Sequence, residues 1–189
     1  NGGVNYYNLQ TGIFKQYTKK EGLKSNDIKS IYIDETNDLV YIGTHTGGLN
    51  VLNRKSGHID VYHSDRIKNI YDIQPTENGE LWLTGMTQLL RYNPQTKTFK
   101  NIARQINGQP LAENQFTYLK RDSKQRLWLA GEKGVSVYTE QGNGLLDSHL
   151  LPKDSPLSYK AVNCIHEAHN GIFWIGTRSG IWRFDENKK

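Results

Sequence analysis

The stretch AVNCIHEAHNGIFWIGTRSGI, residues 161–181, decides how this chain is read. It opens with apolar residues three apart, Val162 and Ile165, and crosses a polar turn at Asn170-Gly171 before Phe173-Trp174-Ile175. A small pair, Gly176-Thr177, and a second turn ending at Gly180 lead into a further run at Ile181. Short β-prone runs separated by residues that tolerate positive φ read as successive antiparallel strands. Working outward, the same arithmetic returns three more times. Ile28/Ile31/Tyr41/Leu49, Ile70/Ile73/Trp82/Leu89 and Phe116/Leu119/Trp128/Val135 stand where Val162/Ile165/Trp174/Ile181 stand. The aromatic anchors lie 41, 46 and 46 residues apart, and three of the chain's four Trp occupy that register.

A period of this length, built from short strands and Gly-bearing turns, marks a β-propeller blade. Each repeat resolves into an inner strand, an aromatic strand, a third strand and a weaker outer strand. Apolar pairs such as Ile59/Tyr62 and Phe99/Ile102 mark the outer strand, and the third copy is expected near Leu145–Leu150. At the start of the chain, Gly2-Gly3-Val4-Asn5-Tyr6-Tyr7-Asn8 aligns with Gly47-Gly48-Leu49-Asn50-Val51-Leu52-Asn53. The expected fold is therefore all-β, a propeller fragment of about four four-stranded antiparallel blades, incomplete at both ends. As one domain over 1–189, it divides into a partial blade at 1–17, blades at 23–62, 66–102 and 114–150, and a partial blade at 158–185. It reads as an arc of a larger ring.

Composition agrees. The chain has 189 residues, 35% apolar content and 18 Gly, and no run of apolar residues long enough to span a membrane. The N-terminus carries no signal-peptide pattern, and the chain reads as a piece of a longer protein. The single Cys164, lying between Val162 and Ile165, reads as a small buried thiol. The aromatic anchors, repeated at fixed register, read as inter-blade core, whereas Trp182 falls outside that register and reads as an edge aromatic.

The repeat, read as a whole, resembles the two-component regulator propeller repeat. The similarity runs through Leu23–Tyr32, Leu39–Thr44 and Gly47–Asn50, and is cleanest from Ala161 to Ile181. Departures are Tyr41 for the usual Trp, and Thr84-Gly85 and Ala130-Gly131 where Gly-Thr is usual. The resemblance implies a periplasmic sensor region of a bacterial hybrid two-component regulator, of the kind Bacteroides-type bacteria use to detect oligosaccharides released from glycans. In that family the repeats build seven-bladed propellers, and a β-sandwich, membrane helix, histidine kinase, receiver and DNA-binding module follow. The expectation is a non-catalytic recognition segment of a membrane-anchored parent, with histidine kinase activity lying elsewhere in that parent. The alternatives are a propeller-type polysaccharide lyase or hydrolase, and a purely structural protein-interaction scaffold.

No chemistry-bearing motif points to a catalyst. His166 and His169 stand three apart between a strand and its turn, not on one helix face, so no metal site is read there. Neither a nucleophile elbow nor a phosphate-cradling loop is present, and no cofactor is expected. The net charge of +5 lacks the basic helix or aromatic platform that nucleic acid would need. Ligand contacts are instead expected on the loops of one face: 18–27, 44–48, 63–68, 85–88, 103–115, 131–134, 151–160 and 177–180. These hold ten Lys or Arg against six Asp or Glu. His45, Arg66, Lys68, Gln88, Lys133, Tyr159, Lys160 and Arg178 are the expected binding residues for an acidic or hydroxyl-rich oligosaccharide. Unpaired strand edges at cut blades further predict a homodimer or self-association through those edges.

Overall fold

The structure, a computed structural model, describes residues 2–85, 88–102, 116–141, 144–147, 150–151, 155–158 and 160–188. Among the described residues, five antiparallel sheets follow one another along the chain: one of two strands, three of four and one of three. Within each sheet the strands pair in chain order, as an antiparallel meander. The all-β architecture of four-stranded blades with partial blades at either end is what the repeat arithmetic called for. The chain divides into two compact units, 1–73 and 74–189.

The first unit holds a hairpin, β1 (Val4–Tyr7) and β2 (Phe14–Tyr17), and a whole blade. That blade comprises β3 (Ile28–Asp34), β4 (Leu39–Thr44), β5 (Gly48–Asn53) and β6 (Ile59–Tyr62). Val4 and Leu23 pack with Val40, Ile42 and Leu52 in a buried cluster. The aligned residues Asn8 and Asn53 do the same work. Asn8 Oδ1 accepts from the Gln10 and Thr11 amides at 2.9 and 3.0 Å, and Asn53 Oδ1 from Lys55 and Ser56 at 3.0 and 2.9 Å. These are Asx turns, which close the hairpin after each third strand. Gly48 has φ +68°, and a Cβ there would lie 2.2 Å from the Tyr62 carbonyl oxygen. Only glycine fits. Tyr41 is 1% exposed, and burial pushes its phenol up to about 12, so it remains protonated.

The division between the units falls within β7 (Asp72–Pro75), which is followed by β8 (Leu81–Thr84), β9 (Leu89–Asn93) and β10 (Thr98–Asn101). The next blade is β11 (Phe116–Arg121), β12 (Leu127–Gly131), β13 (Gly134–Gln141) and β14 (Gly144–Asp147). The last, of three strands, is β15 (Val162–Glu167), β16 (Ile172–Thr177) and β17 (Gly180–Asp185).

The inner strands explain the three-residue apolar spacing. A register shift occurs between Ile28 and Ser30, between Phe116 and Tyr118, and between Val162 and Cys164. Strict pleating would send residues i and i+3 to opposite faces; the bulge returns them to one face. Phe116 and Leu119 accordingly share one core cluster, and Val162 and Ile165 another.

In the second unit the aromatic anchors pack in one direction, each toward the blade that follows it. Trp82 lies with Phe116, Leu119, Leu127, Leu129 and Tyr138 of the next blade, and its Nε1–H donates to Glu140. Trp128 stacks on Phe173 of the last blade at 4.4 Å, and its Nε1–H donates to Asp122 at 2.8 Å. Asp122 also accepts from the Lys124 and Arg126 amides and from Arg126 Nε at 2.6 Å. Arg126 reaches on to Glu186 of the last blade at 2.8 Å. Glu167 receives the Ser123 amide at 2.8 Å and its hydroxyl, closing a second bridge.

This polarity corrects three expectations drawn from sequence. Trp174, expected in the core, is 45% exposed, on the face of the last blade opposite the cluster that holds Trp128. Cys164, expected to be buried, is exposed on the same face, beside Gly176. Trp182, expected at an edge, packs against the cluster that holds Trp128. All three follow from which face of the blade meets the blade before it.

Two outcomes follow from these contacts. Trp128→Ala is expected to cost about 3–5 kcal/mol in urea unfolding, and Trp174→Ala about 1 kcal/mol or less. Burial tends to raise the Glu186 pKa, but Lys124 and Arg126 outweigh it and hold the carboxyl below its ordinary 4.5. A carboxyl depressed on folding stabilises above its unfolded pKa, and that contribution fades as pH falls through the folded value. Acid titration of stability below pH 4.5 is expected to be shallower in Glu186→Gln than in the parent.

Candidate functional site

The turns joining second and third strands, with the loops entering each inner strand, carry the expected binding residues. Where Gly-Thr is kept, the Thr hydroxyl closes the turn. Thr44 donates to the Gly48 carbonyl and Thr177 to the Gly180 carbonyl, each at 2.9 Å. In the Thr84-Gly85 variant the backbone does so, Gly85 N–H reaching the Gln88 carbonyl at 2.8 Å.

In the first unit, the 44–48 turn is stitched to the segment leading into β7. Gly48 N–H donates to the Lys68 carbonyl at 2.9 Å, Ile70 N–H to Thr44 at 3.0 Å, and Thr46 N–H to the Asn69 side chain at 3.0 Å. His45 stacks on Tyr71 with ring centroids 6.4 Å apart, and its Nδ1 lies 3.2 Å from Asp27. The Lys29 ammonium, 3.0 Å away, is the main cause that holds the Asp27 carboxyl below its usual range, against the opposing effect of burial. His45 and Lys68 thus sit on two stitched loops, with Arg66 exposed on the second. Tyr71, Asn69 and Asp27 complete this cluster. Sequence reasoning passed over Tyr71 and Asn69, which follow the expected 63–68 loop and precede the inner strand.

In the second unit, Arg178 pairs with Glu132 at 2.5 Å, which joins the turns of neighbouring blades and brings Lys133 alongside. The Arg178 amide donates to the Ala161 carbonyl at 3.4 Å, and Lys160 Nζ sits 5.7 Å over the Trp182 ring. Lys133, Lys160 and Arg178 therefore lie on adjoining loops, with Lys160 placed over the Trp182 indole. Gln88 lies on the preceding blade with its side-chain oxygen buried and, among the described residues, without a hydrogen-bond partner. Tyr159 lies outside the described residues. The seven described residues fall in different units, His45, Arg66 and Lys68 in the first and Gln88, Lys133, Lys160 and Arg178 in the second. Among the described residues, no three His, Cys, Asp or Glu gather as a metal centre, and no helix is long and apolar enough to cross a membrane.

A cation over an aromatic face, beside further cations and turn amides, can bind a carboxylate or sulfate and a sugar ring together. Comparison with known proteins bears on which kind of protein uses such blades. The family pattern Two component regulator propeller matches residues 156–179. Histidine kinase P4 of Formosa agariphila is 29% identical over 148 residues, 72% of this chain and 11% of that protein. The extracellular domain assigned to hybrid two component system BT3049 of B. thetaiotaomicron superposes with TM-score 0.73 at 19% identity, covering 98% of this chain and 26% of that domain. Virginiamycin B lyase of Staphylococcus aureus superposes with TM-score 0.63 at 18% identity, covering 96% of this chain and 62% of that enzyme. The chain thus spans about a tenth of the kinase and a quarter of that extracellular domain. The described sheets have the fold of β-propeller blades, and residues 156–179 match the two-component regulator propeller repeat.

Proposed function

We propose that this chain is a non-catalytic recognition segment of the extracytoplasmic, periplasmic sensor region of a hybrid two-component regulator. Its ligand is an oligosaccharide bearing carboxylate or sulfate groups, and binding is relayed to a histidine kinase elsewhere in the parent. The observation that carries this reading is a coincidence in one segment. Residues 156–179, which match the regulator repeat, also contain Lys160 and Arg178 of the cation cluster. The chemistry suits an acidic sugar. Lys160, held over Trp182, offers one fixed charge, and the Lys133 turn adds a second.

Glu132 tempers that charge by pairing with Arg178, so the pair sets how strongly the site attracts an anion. Isothermal titration with uronate-bearing, sulfated and neutral oligosaccharides of equal length tests the reading. An acidic sugar is expected to bind at least tenfold more tightly than its neutral counterpart, each charge-assisted hydrogen bond being worth roughly 1.5–3 kcal/mol. Lys160→Ala weakens this preference, and Glu132→Gln strengthens it by releasing Arg178. Equal binding of neutral and acidic sugars, or binding unchanged in both variants, would remove the assignment.

A further inference from the structure

The turn between β4 and β5 carries side chains that the fold itself does not require, and all of them lie within the first unit. His45 and Arg178 hold the same place in their blades, one residue past Thr44 and Thr177. Each donates its backbone N–H to the residue that precedes its own inner strand: His45 to the Asp27 carbonyl at 2.9 Å, Arg178 to the Ala161 carbonyl at 3.4 Å. The backbone therefore closes this corner whether the side chains are His and Asp or Arg and Ala. The Asp27 and His45 side chains are surplus to that task, and both reach solvent, 51% and 42% exposed.

Their placement is nevertheless fixed. Asn50, fully buried in β5, accepts the Lys24 N–H at 2.9 Å and donates to the Gly47 carbonyl at 3.2 Å. It thereby locks the loop that carries Asp27 to the turn that carries His45. The later blades have Leu90, Ser136 and Trp182 at that register, so this tie is particular to the first whole blade. From the other side, the Asn69 side chain accepts the Thr46 N–H at 3.0 Å and holds Thr46 at φ +68°, a left-handed conformation unfavourable for a β-branched residue.

The groups so held are balanced in charge. Asp27 meets Lys29 at 3.0 Å through one oxygen and His45 Nδ1 at 3.2 Å through the other. An Nδ1–H given to Asp27 leaves Nε2 of the imidazole as an acceptor, and among the described residues nothing else bonds it. Asn69, its oxygen taken by Thr46, keeps its NH2 as a donor. The imidazole and the half-buried Tyr71 ring are 26° from parallel with centroids 6.4 Å apart. Atoms in contact lie about 3.5–4 Å apart, so most of each ring face is left uncovered by the other. Around Lys133, Lys160 and Arg178, by contrast, Glu132 offsets only one of three cations.

We propose that Asp27, His45, Asn69 and Tyr71 form a second ligand site, which takes a neutral sugar residue. The carboxylate and imidazole accept from its hydroxyls, the amide and the Lys29 ammonium donate to them, and the rings cover its C–H face. The site rests on the oligosaccharide reading given above and adds to it a place for uncharged residues.

The test titrates the 189-residue chain with maltose, cellobiose, lactose and mannobiose, and with a glucuronate-bearing disaccharide, while His45 and Tyr71 ring resonances are followed by NMR. A neutral disaccharide is expected to move both rings saturably and to bind about tenfold more weakly to Asp27→Ala and to Tyr71→Ala. Arg66→Ala and Lys68→Ala are expected to bind it as the parent does. Should a variant fail to fold, the titration of the parent chain decides. Neutral disaccharides that leave both rings unmoved, a stronger response of these rings to the glucuronate disaccharide, or unchanged affinity in the Asp27 and Tyr71 variants would overturn the site. Acidic sugars bound through Lys160 with His45 unmoved would overturn it and leave the acidic-sugar reading standing. The opposite pattern, His45 responding to neutral sugars with no acidic preference at Lys160, would support this site and remove the other.

Discussion

An indole seated in the sheet that follows it is the contact on which the second unit depends. Trp82 and Trp128 are fully buried, yet neither is buried by its own blade alone. Each contributes one apolar ring and one N–H, and both must be housed, the ring among aliphatic side chains and the N–H on a carboxylate. A buried unpaired donor would cost more than the bond returns, which is why Asp122 and Glu140 accompany the aromatics. Around Asp122 this has grown into a network of Lys124, Arg126 and Glu186 that joins two blades through charge as well as packing.

Much of this was legible because the repeat enforces it. The spacing of Phe116 from Leu119 and of Val162 from Ile165 contradicts simple strand alternation, and the recurring bulge resolves the contradiction. Asn8, Asn53, Asn93 and Asp185 could be aligned by eye, and each caps the turn after a third strand. What sequence left open was direction. A periodic pattern states that Trp82, Trp128 and Trp174 are equivalent but not which neighbour each one faces. Periodicity alone therefore puts Trp174 and Cys164 in the core and Trp182 at an edge, the reverse of their packing.

The candidate site was legible in composition more than in geometry. Cations crowd the loops, and Lys133, Lys160 and Arg178 do lie on adjoining loops, but the Glu132 partnership is a contact between repeats that no single repeat announces. The stacking of His45 on Tyr71 is of the same kind, as it depends on hydrogen bonds that fold one connection over another. Side chains at loop tips are positioned by neighbours distant in sequence, so residue type alone could not have paired them.

The one-way seating of the anchors also bears on how such a chain is made. Synthesis proceeds from the N-terminus, and Trp82 emerges well before Phe116, Leu127 and Tyr138, the side chains that enclose it. Each newly made blade therefore leaves the ribosome with a greasy aromatic still uncovered, and the next stretch of translation shelters it. A pause or a truncation between blades would strand that surface, which makes the rhythm of elongation part of how these repeats avoid sticking to one another.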